Sequence, residues 1–206
     1  LHSGTMPTDL HVIASVEDDD SNRITTSSEL ISMVGLLASQ DNFQITSDVY
    51  NPRGWRIDGT PALISIRAND KFQDPVVDGT PIKFITNAGA VTGSCTTTDG
   101  ECSVELQSQS PRPPNGLIKI LARTTGEESF IDQNSNGTFD INETILTNLP
   151  EAFLDSNENG ERDIDEFFSD FNQDTLFSDK LDSSIYQGQS CSEAALEEGH
   201  CENLFE

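Results

Sequence analysis

Residues 58–91 read DGTPALISIRANDKFQDPVVDGTPIKFITNAGAV. Ile64, Ile66 and Ala68 alternate with Ser65, Arg67 and Asn69, and Ile82 and Phe84 flank Lys83. An apolar residue at every second place marks a strand with one face on a core and the other toward solvent. The same period returns downstream, where Cys102, Val104 and Leu106 alternate with Ser103 and Glu105, and Ile118, Ile120 and Ala122 oppose Lys119, Leu121 and Arg123. Between these runs stand NDKFQDP, VDGTP, NAGAV, TTDG and SPRPPNG, made of the residues that turns require. Short half-buried strands at this spacing predict an all-β fold, an antiparallel β-sandwich.

The flanks extend the pattern. Asp41 to Trp55 suggests another strand pair, and LHVIASV and SSELISMV two more strands around the acidic turn EDDDSN. Leu1 to Gly35 is too short to bury a core alone. Residues 1–40 are therefore read as the last strands of a preceding domain, or as the N-terminal strands of the main sandwich, and residues 41–130 as the sandwich itself. Past Asp182 the composition turns to Ser, Gln, Glu and Gly, with a short helix expected at SEAALEE, and NLFE could begin a last strand.

Residues 131–206 carry a different signal. DQNSNGTFDINE, residues 132–143, places oxygen-bearing residues at every second position around one glycine. Calcium takes six to eight oxygen ligands, and helix-flanked calcium loops draw them from positions 1, 3, 5, 7, 9 and 12, with Gly at 6 for the turn. Those positions hold Asp132, Asn134, Asn136, Thr138, Asp140 and Glu143, with Gly137 sixth. A polar turn is the plainer explanation of one such stretch. Residues 155–166, DSNENGERDIDE, repeat it with Asp155, Asn157, Asn159, Glu161, Asp163 and Glu166 around Gly160. Thr138 and Glu161 would ligate through backbone carbonyls, so their side chains are free to vary.

A third copy opens with Asp170, Asn172 and Asp174, but Thr175 stands in the glycine position and Leu181 at position 12, with Asp182 one place later. A left-handed backbone is costly for a residue with a Cβ, which makes this a half-site. EESFIDQNSN, PEAFLDSNEN and DEFFSDFNQD align Glu128, Glu151 and Glu166, then Phe130, Phe153 and Phe168, ahead of the three loops. Alternation of that kind predicts an extended lead-in that buries its Phe and runs directly into a ligand loop.

The chain has 36 acidic and 11 basic residues, a formal charge of −25. Between Asp132 and Asp182 there are 14 acidic and 2 basic residues. Self-repulsion on this scale opposes compaction without counterions, so the acidity reads as demand for Ca2+. Nucleic acid and anionic membranes both call for a basic footprint and are excluded as partners of this segment. No apolar run approaches the roughly 18 residues of a membrane-spanning helix; the longest, Leu30 to Ala38, is broken by Ser32 and Gly35. With neither a signal peptide nor an initiator Met at its start, the chain is read as an excerpt or mature fragment of something longer.

Four cysteines form two local pairs. The turn Thr97 to Gly100 would set Cys95 opposite Cys102 on adjacent strands, and Cys191 and Cys201 would close a second small loop. Zinc sites need pairs two to four residues apart, which neither pair offers. Free thiols are the alternative; disulfides and an extracellular, oxidising location are expected.

The run from DGTPALISI to NAGAV, followed by CTTTDGECSVELQSQSPRPPNGLIKILARTTGEESFIDQNSNG, resembles a bacterial immunoglobulin-like repeat of invasin and intimin-like surface adhesins. The DGTPIKF strand entry, the GAV segment, the paired Cys95 and Cys102, and a penultimate strand running into calcium loops carry the resemblance, over about residues 43–206. It implies an immunoglobulin-like sandwich in a tandem array projecting from a cell surface, with neighbouring repeats as partners. It also implies that the acidic loops are an irregular insertion before the last strand, which is cut short here.

No catalytic constellation is expected. His2, His11 and His200 lie outside the acidic cluster with no nucleophile arranged near them, and TTGEES lacks the Lys and spacing of a phosphate loop. Paired carboxylates could serve glycoside chemistry, but calcium spacing already accounts for them. The sequons at Asn136 and Asn142 are read as part of a metal loop. Two binding alternatives remain. The 23-residue offset of Asp132 and Asp155, with ETILTNL as a short helix, resembles the calcium-dependent docking modules called dockerins. Against it, the third unit follows after 15 residues and DIDEFFSDF suits an extended lead-in. Tyr50 and Trp55 are the aromatic candidates for a carbohydrate platform, although burial in strands explains them more simply.

Overall fold

A computed structural model of the chain describes residues 9–10, 13–17, 23–28, 31–32, 37–146, 148, 150–170, 175–178 and 185–202. Seven strands build two antiparallel sheets: β1 (Phe43–Ser47), β2 (Pro61–Ala68), β3 (Pro81–Thr86), β4 (Ala90–Val91), β5 (Ser94–Thr96), β6 (Glu101–Gln107) and β7 (Ile120–Arg123). One sheet runs β1-β2-β6-β4 and the other β5-β3-β7. Burial along β2 alternates from Pro61 to Ala68 as its sequence does, because successive side chains point to opposite faces.

The register puts Ile66 opposite Cys102 and Ile64 opposite Val104, so the apolar faces of β2 and β6 coincide. Ile82 and Phe84 of the second sheet join Ile64, Ile66, Ala68, Val104 and Leu106 in one buried cluster. Burying an Ile or Phe side chain contributes about 1.5–3 kcal/mol, so this shared face holds the sheets together. The all-β expectation is met; among the described residues there is one short α-helix, Glu193–Glu197, where SEAALEE predicts it, and one 3-10 turn, Gln40–Asn42. Ser192 caps that helix by accepting the Ala195 N–H.

Both expected disulfides are present. Their setting differs from expectation at Cys95 and Cys102, whose Cα atoms are 6.0 Å apart. A tight turn joins Thr98 and Glu101 through reciprocal N–H to carbonyl bonds of 2.9 and 3.0 Å, and the two strands then part. Cys95 follows β5 to β3, while Cys102 follows β6 to β2. The bridge therefore staples one sheet to the other rather than joining facing strands of one sheet.

A second correction concerns the stretch from Asp41 to Trp55. Phe43–Ser47 is a strand, but residues 48–60 form an irregular loop with Tyr50 86% and Trp55 58% exposed. They are not buried strand residues. Pro52 has no N–H for a ladder, and Ser108 and Arg112 bind carbonyls of this stretch instead.

Residues 13–17 and 23–27 pair as an antiparallel hairpin that exposes Ile13 and Val16, and Asp9–Leu10 pairs with Ile31–Ser32. Ala38 belongs to the main core, and Ala38–Ser39 runs parallel to Gly126–Glu127. The acidic segment has a second, smaller core: Phe139, Tyr186, Ala195 and Cys201, flanked by Phe130, Ile141, Ile145 and Cys191. Cys191 and Cys201 bridge within it, and Tyr186–Gln187 pairs parallel with Cys201–Glu202. The expected last strand at NLFE lies outside the described residues.

Candidate metal centre

Both complete loops share one hydrogen-bond pattern. In the first, the Gly137 N–H donates to Asp132 Oδ2 at 2.8 Å, and the Asn136 N–H reaches Asp132 Oδ1 and Asn134 Oδ1 at 3.2 and 2.9 Å. In the second, the Gly160 N–H donates to Asp155 Oδ2 at 2.9 Å, and the Asn159 N–H reaches Asp155 Oδ1 and Asn157 Oδ1 at 3.3 and 3.0 Å. Thr138 and Glu161 each donate their N–H to the Asn two residues earlier, at 2.8 Å in both. These bonds wrap the backbone round the aspartate, and residues 4 and 6 of each loop turn left-handed: Ser135 and Gly137, Glu158 and Gly160, with φ between 58° and 79°. Gly137 and Gly160 adopt that conformation without strain, whereas Ser135 and Glu158 adopt it with a Cβ.

The closing residues repeat as well. Glu143 accepts the N–H groups of Gln133 and Asp140 at 2.8 and 3.0 Å, and Glu166 those of Ser156 and Asp163 at 2.6 and 3.1 Å. The side-chain amides of Asn134 and Asn136 converge on Asp140 Oδ2 at 2.7 and 2.8 Å, and those of Asn157 and Asn159 on Asp163 Oδ2 at 2.6 and 3.0 Å. Positions 1, 3, 5, 9 and 12 of each loop are thus all engaged in one local set of hydrogen bonds. Among the described residues, however, no three His, Cys, Asp or Glu side chains draw together into a metal-holding group. The carboxylates are turned onto N–H donors instead. An amide oxygen has two lone pairs and a carboxylate about four sites, so each acceptor retains capacity for a further partner.

The same donors act on two of the acids. The Gly160 N–H, followed by other loop N–H groups, holds the Asp155 carboxyl below its ordinary value. Asn134 does the same for Asp140, helped by Ser192 and Asn136. Hydrogen bonds to the charged form favour it.

The half-site departs from expectation at Thr175. Its φ is 67°, and its N–H donates to Asp170 Oδ2 at 2.9 Å, as the glycines do in the complete loops. The left-handed turn forms despite the Cβ, with the Asp170 bond offsetting part of the strain. Asn172, Asp174, Leu181 and Asp182 lie outside the described residues.

The lead-ins are extended as the repeat predicts, but Phe130, Phe153 and Phe168 are half-buried rather than buried. Phe130–Ile131 is a strand, paired with Thr144–Ile145, and Phe153 bridges Phe168. Phe130 packs edge-on against Phe139 and Tyr186, and Phe153 and Phe168 pack edge-on against Phe177. Thr144 and Ile145, which the docking alternative makes helical, are extended. Ring and strand packing hold the loop's exit as well as its entry.

Three basic side chains tie this segment to the two-sheet core, and no local motif announces them. Lys71, in the turn after β2, donates from Nζ to the Gly137 carbonyl at 2.8 Å, lies 3.7 Å from Glu127 and sits 4.6 Å over the Phe130 ring. Burial pulls its ammonium below the ordinary lysine value, while Glu127, Asp132 and Asp70 oppose the shift. Glu127 also accepts from the Tyr186 and Ser190 hydroxyls, at 3.2 and 2.9 Å. Burial, then Glu127, pushes the Tyr186 phenol upward, keeping it a neutral donor. Lys119 pairs with Glu158 of the second loop, and Arg123 donates to Ser169 just ahead of the third.

Comparison of the chain with protein families, with curated proteins and with solved structures gave no match.

Proposed function

We propose that this chain is a non-enzymatic structural module of an extracellular bacterial surface protein, of the adhesin type with tandem immunoglobulin-like repeats, in which Ca2+ rigidifies the acidic loops. The observation that carries this reading is the repetition of one hydrogen-bond pattern in the oxygen-rich loops at residues 132–143 and 155–166. Turns chosen only to reverse the chain have no reason to repeat a twelve-residue hydrogen-bond pattern. Asp132, Asn134, Asn136, Asp140 and Glu143 would hold one ion with the Thr138 carbonyl, and Asp155, Asn157, Asn159, Asp163 and Glu166 another with the Glu161 carbonyl.

Calcium fits better than magnesium. It tolerates flexible shells of oxygens, whereas magnesium demands a near-ideal octahedron and keeps several waters. Entry of the ion would displace the Asn amide N–H groups from Asp140 and Asp163 and draw the carboxylates onto one centre. Two disulfides support an oxidising compartment. The three- and four-stranded sheets stapled by Cys95 and Cys102 support the immunoglobulin-like sandwich, with neighbouring repeats as its partners.

Isothermal titration of chelator-stripped protein tests this. At least two calcium ions bind, and Glu143→Gln and Glu166→Gln each lower the stoichiometry or the affinity of one site. Absence of binding heat at millimolar calcium removes the proposal.

A further inference from the structure

The end of the two-sheet core away from the first metal loop carries an aromatic, arginine-bearing surface. Strand β2 spans eight residues, about 23 Å at strand rise, and separates the loop at residues 48–60 from Lys71 and Gly137. That loop displays Tyr50, Trp55 and Ile57 to solvent together with two exposed arginines, Arg53 and Arg56. Neither arginine makes an ion pair among the described residues. With Arg112, three of the chain's 11 basic residues gather here against two acids of the loop, Asp48 and Asp58, a local excess of positive charge in a protein of net charge −25.

The loop is held rigidly. Arg112 donates to the Gly54 carbonyl at 2.8 Å and to the Ile57 carbonyl at 3.0 Å, and pairs with Asp58 at 2.6 Å. Ser108 Oγ donates to the Ile57 carbonyl at 2.6 Å and accepts the Thr60 N–H at 2.9 Å. Gly54 lies so close to the end of β6 that a Cβ would stand 2.6 Å from Ser108 Cβ. Beside the loop opens a cleft of about 400 Å³, lined by Tyr50, Asn51, Trp55, Gln109 and Leu117 among others.

We infer that this pole is a binding surface for an anionic saccharide. Indole and phenol rings offer apolar faces for the C–H face of a sugar ring and polar edges for its hydroxyls. Asn51 and Gln109 add amide donors and acceptors, and a planar guanidinium matches a carboxylate or sulfate in two-point contact. A loop already fixed by Arg112 and Ser108 loses little entropy on binding. Charge and size favour a saccharide over an acidic protein. A stable protein interface covers about 800 Å² per partner, which would carry an acidic partner beyond the basic patch onto this chain's negative surface. A saccharide chain is narrow enough to stay on the patch.

Trp55 is the only tryptophan, so its fluorescence reports on this surface alone. The full chain, in buffered calcium, is titrated with a chondroitin sulfate hexasaccharide, with neutral maltohexaose and with polyglutamate. The sulfated sugar gives a saturable change in Trp55 emission, and maltohexaose binds at least about tenfold more weakly. The pair Arg53→Gln and Arg56→Gln, and separately Tyr50→Ala, weaken the hexasaccharide by about tenfold or more while the far-ultraviolet dichroism stays unchanged. These side chains are exposed, so the fold tolerates the changes. No saturable response, an affinity indifferent to all three substitutions, or polyglutamate binding as tightly as the sugar would each overturn the inference.

Discussion

Adding calcium to the chelator-treated chain raises the melting midpoint of the acidic segment by about 10–20 °C for each occupied site. An ion that binds only the folded state adds RT ln(1 + [L]/Kd), about 2.7 kcal/mol at a hundredfold excess over Kd. For a unit the size of residues 131–206 each kcal/mol moves the midpoint by about 4–8 °C. Glu143→Gln and Glu166→Gln each remove roughly half of the rise, because each takes the closing carboxylate from one loop. Magnesium at the same concentration gives a smaller shift, since loops closed by two-oxygen carboxylates suit the larger ion. Scanning calorimetry with and without chelator checks both statements; a midpoint indifferent to calcium contradicts them.

Lys71→Met destabilises the junction between core and loops by about 3–5 kcal/mol, the range for breaking one half of a buried ion pair. The lysine side chain is 14% exposed and that of Glu127 is 1%, so solvent does little to screen what remains. The substitution leaves the Glu127 carboxylate to the Tyr186 and Ser190 hydroxyls alone, and takes from the Gly137 carbonyl its bond to Nζ. Replacing the partner as well, Lys71→Met with Glu127→Gln, recovers a large part of the loss, because the uncompensated charge is gone. Chemical denaturation of the wild type, both single variants and the double variant closes the cycle. Additive losses would show that Lys71 and Glu127 do not act as a pair.

Where the structural signal is local, the sequence carries it. Strands β2, β3 and β6 follow from the period of two, since burial of alternate residues is decided by the strand's own geometry. The two complete loops are legible for the same reason: every side chain in each loop's hydrogen-bond pattern comes from within twelve consecutive residues. Pairing of Cys95 with Cys102 is legible from their separation, but its crossing from sheet to sheet is not, because a tight turn looks the same whichever neighbours its strands later choose. The loop at residues 48–60 misleads because Tyr50, Trp55 and Ile57 have strand propensity, while Gly54 and Arg112, which hold them out of a ladder, meet only in the folded chain. Lys71 is the least legible of all. It stands 66 residues from the carbonyl it caps, in a turn that reads as a solvated charge.

Thr175 shows the limit from the other side. Residue type argues against a left-handed turn there, yet the bond to Asp170 and the repeat it belongs to prevail. A penalty of about 1–2 kcal/mol for one residue is within reach of tertiary context.

The central claim is that calcium stiffens the acidic segment while the two-sheet core stands largely without it. Hydrogen exchange read residue by residue, with calcium and with chelator, tests it most directly. Chelation should strip protection from Phe130 to Asp170 and leave Ile66, Phe84 and Ile120 slow, because those strands bury one another in a separate cluster. Equal loss of protection in both regions would make the loops part of the core, and an unchanged pattern throughout would contradict the structural role of the ion.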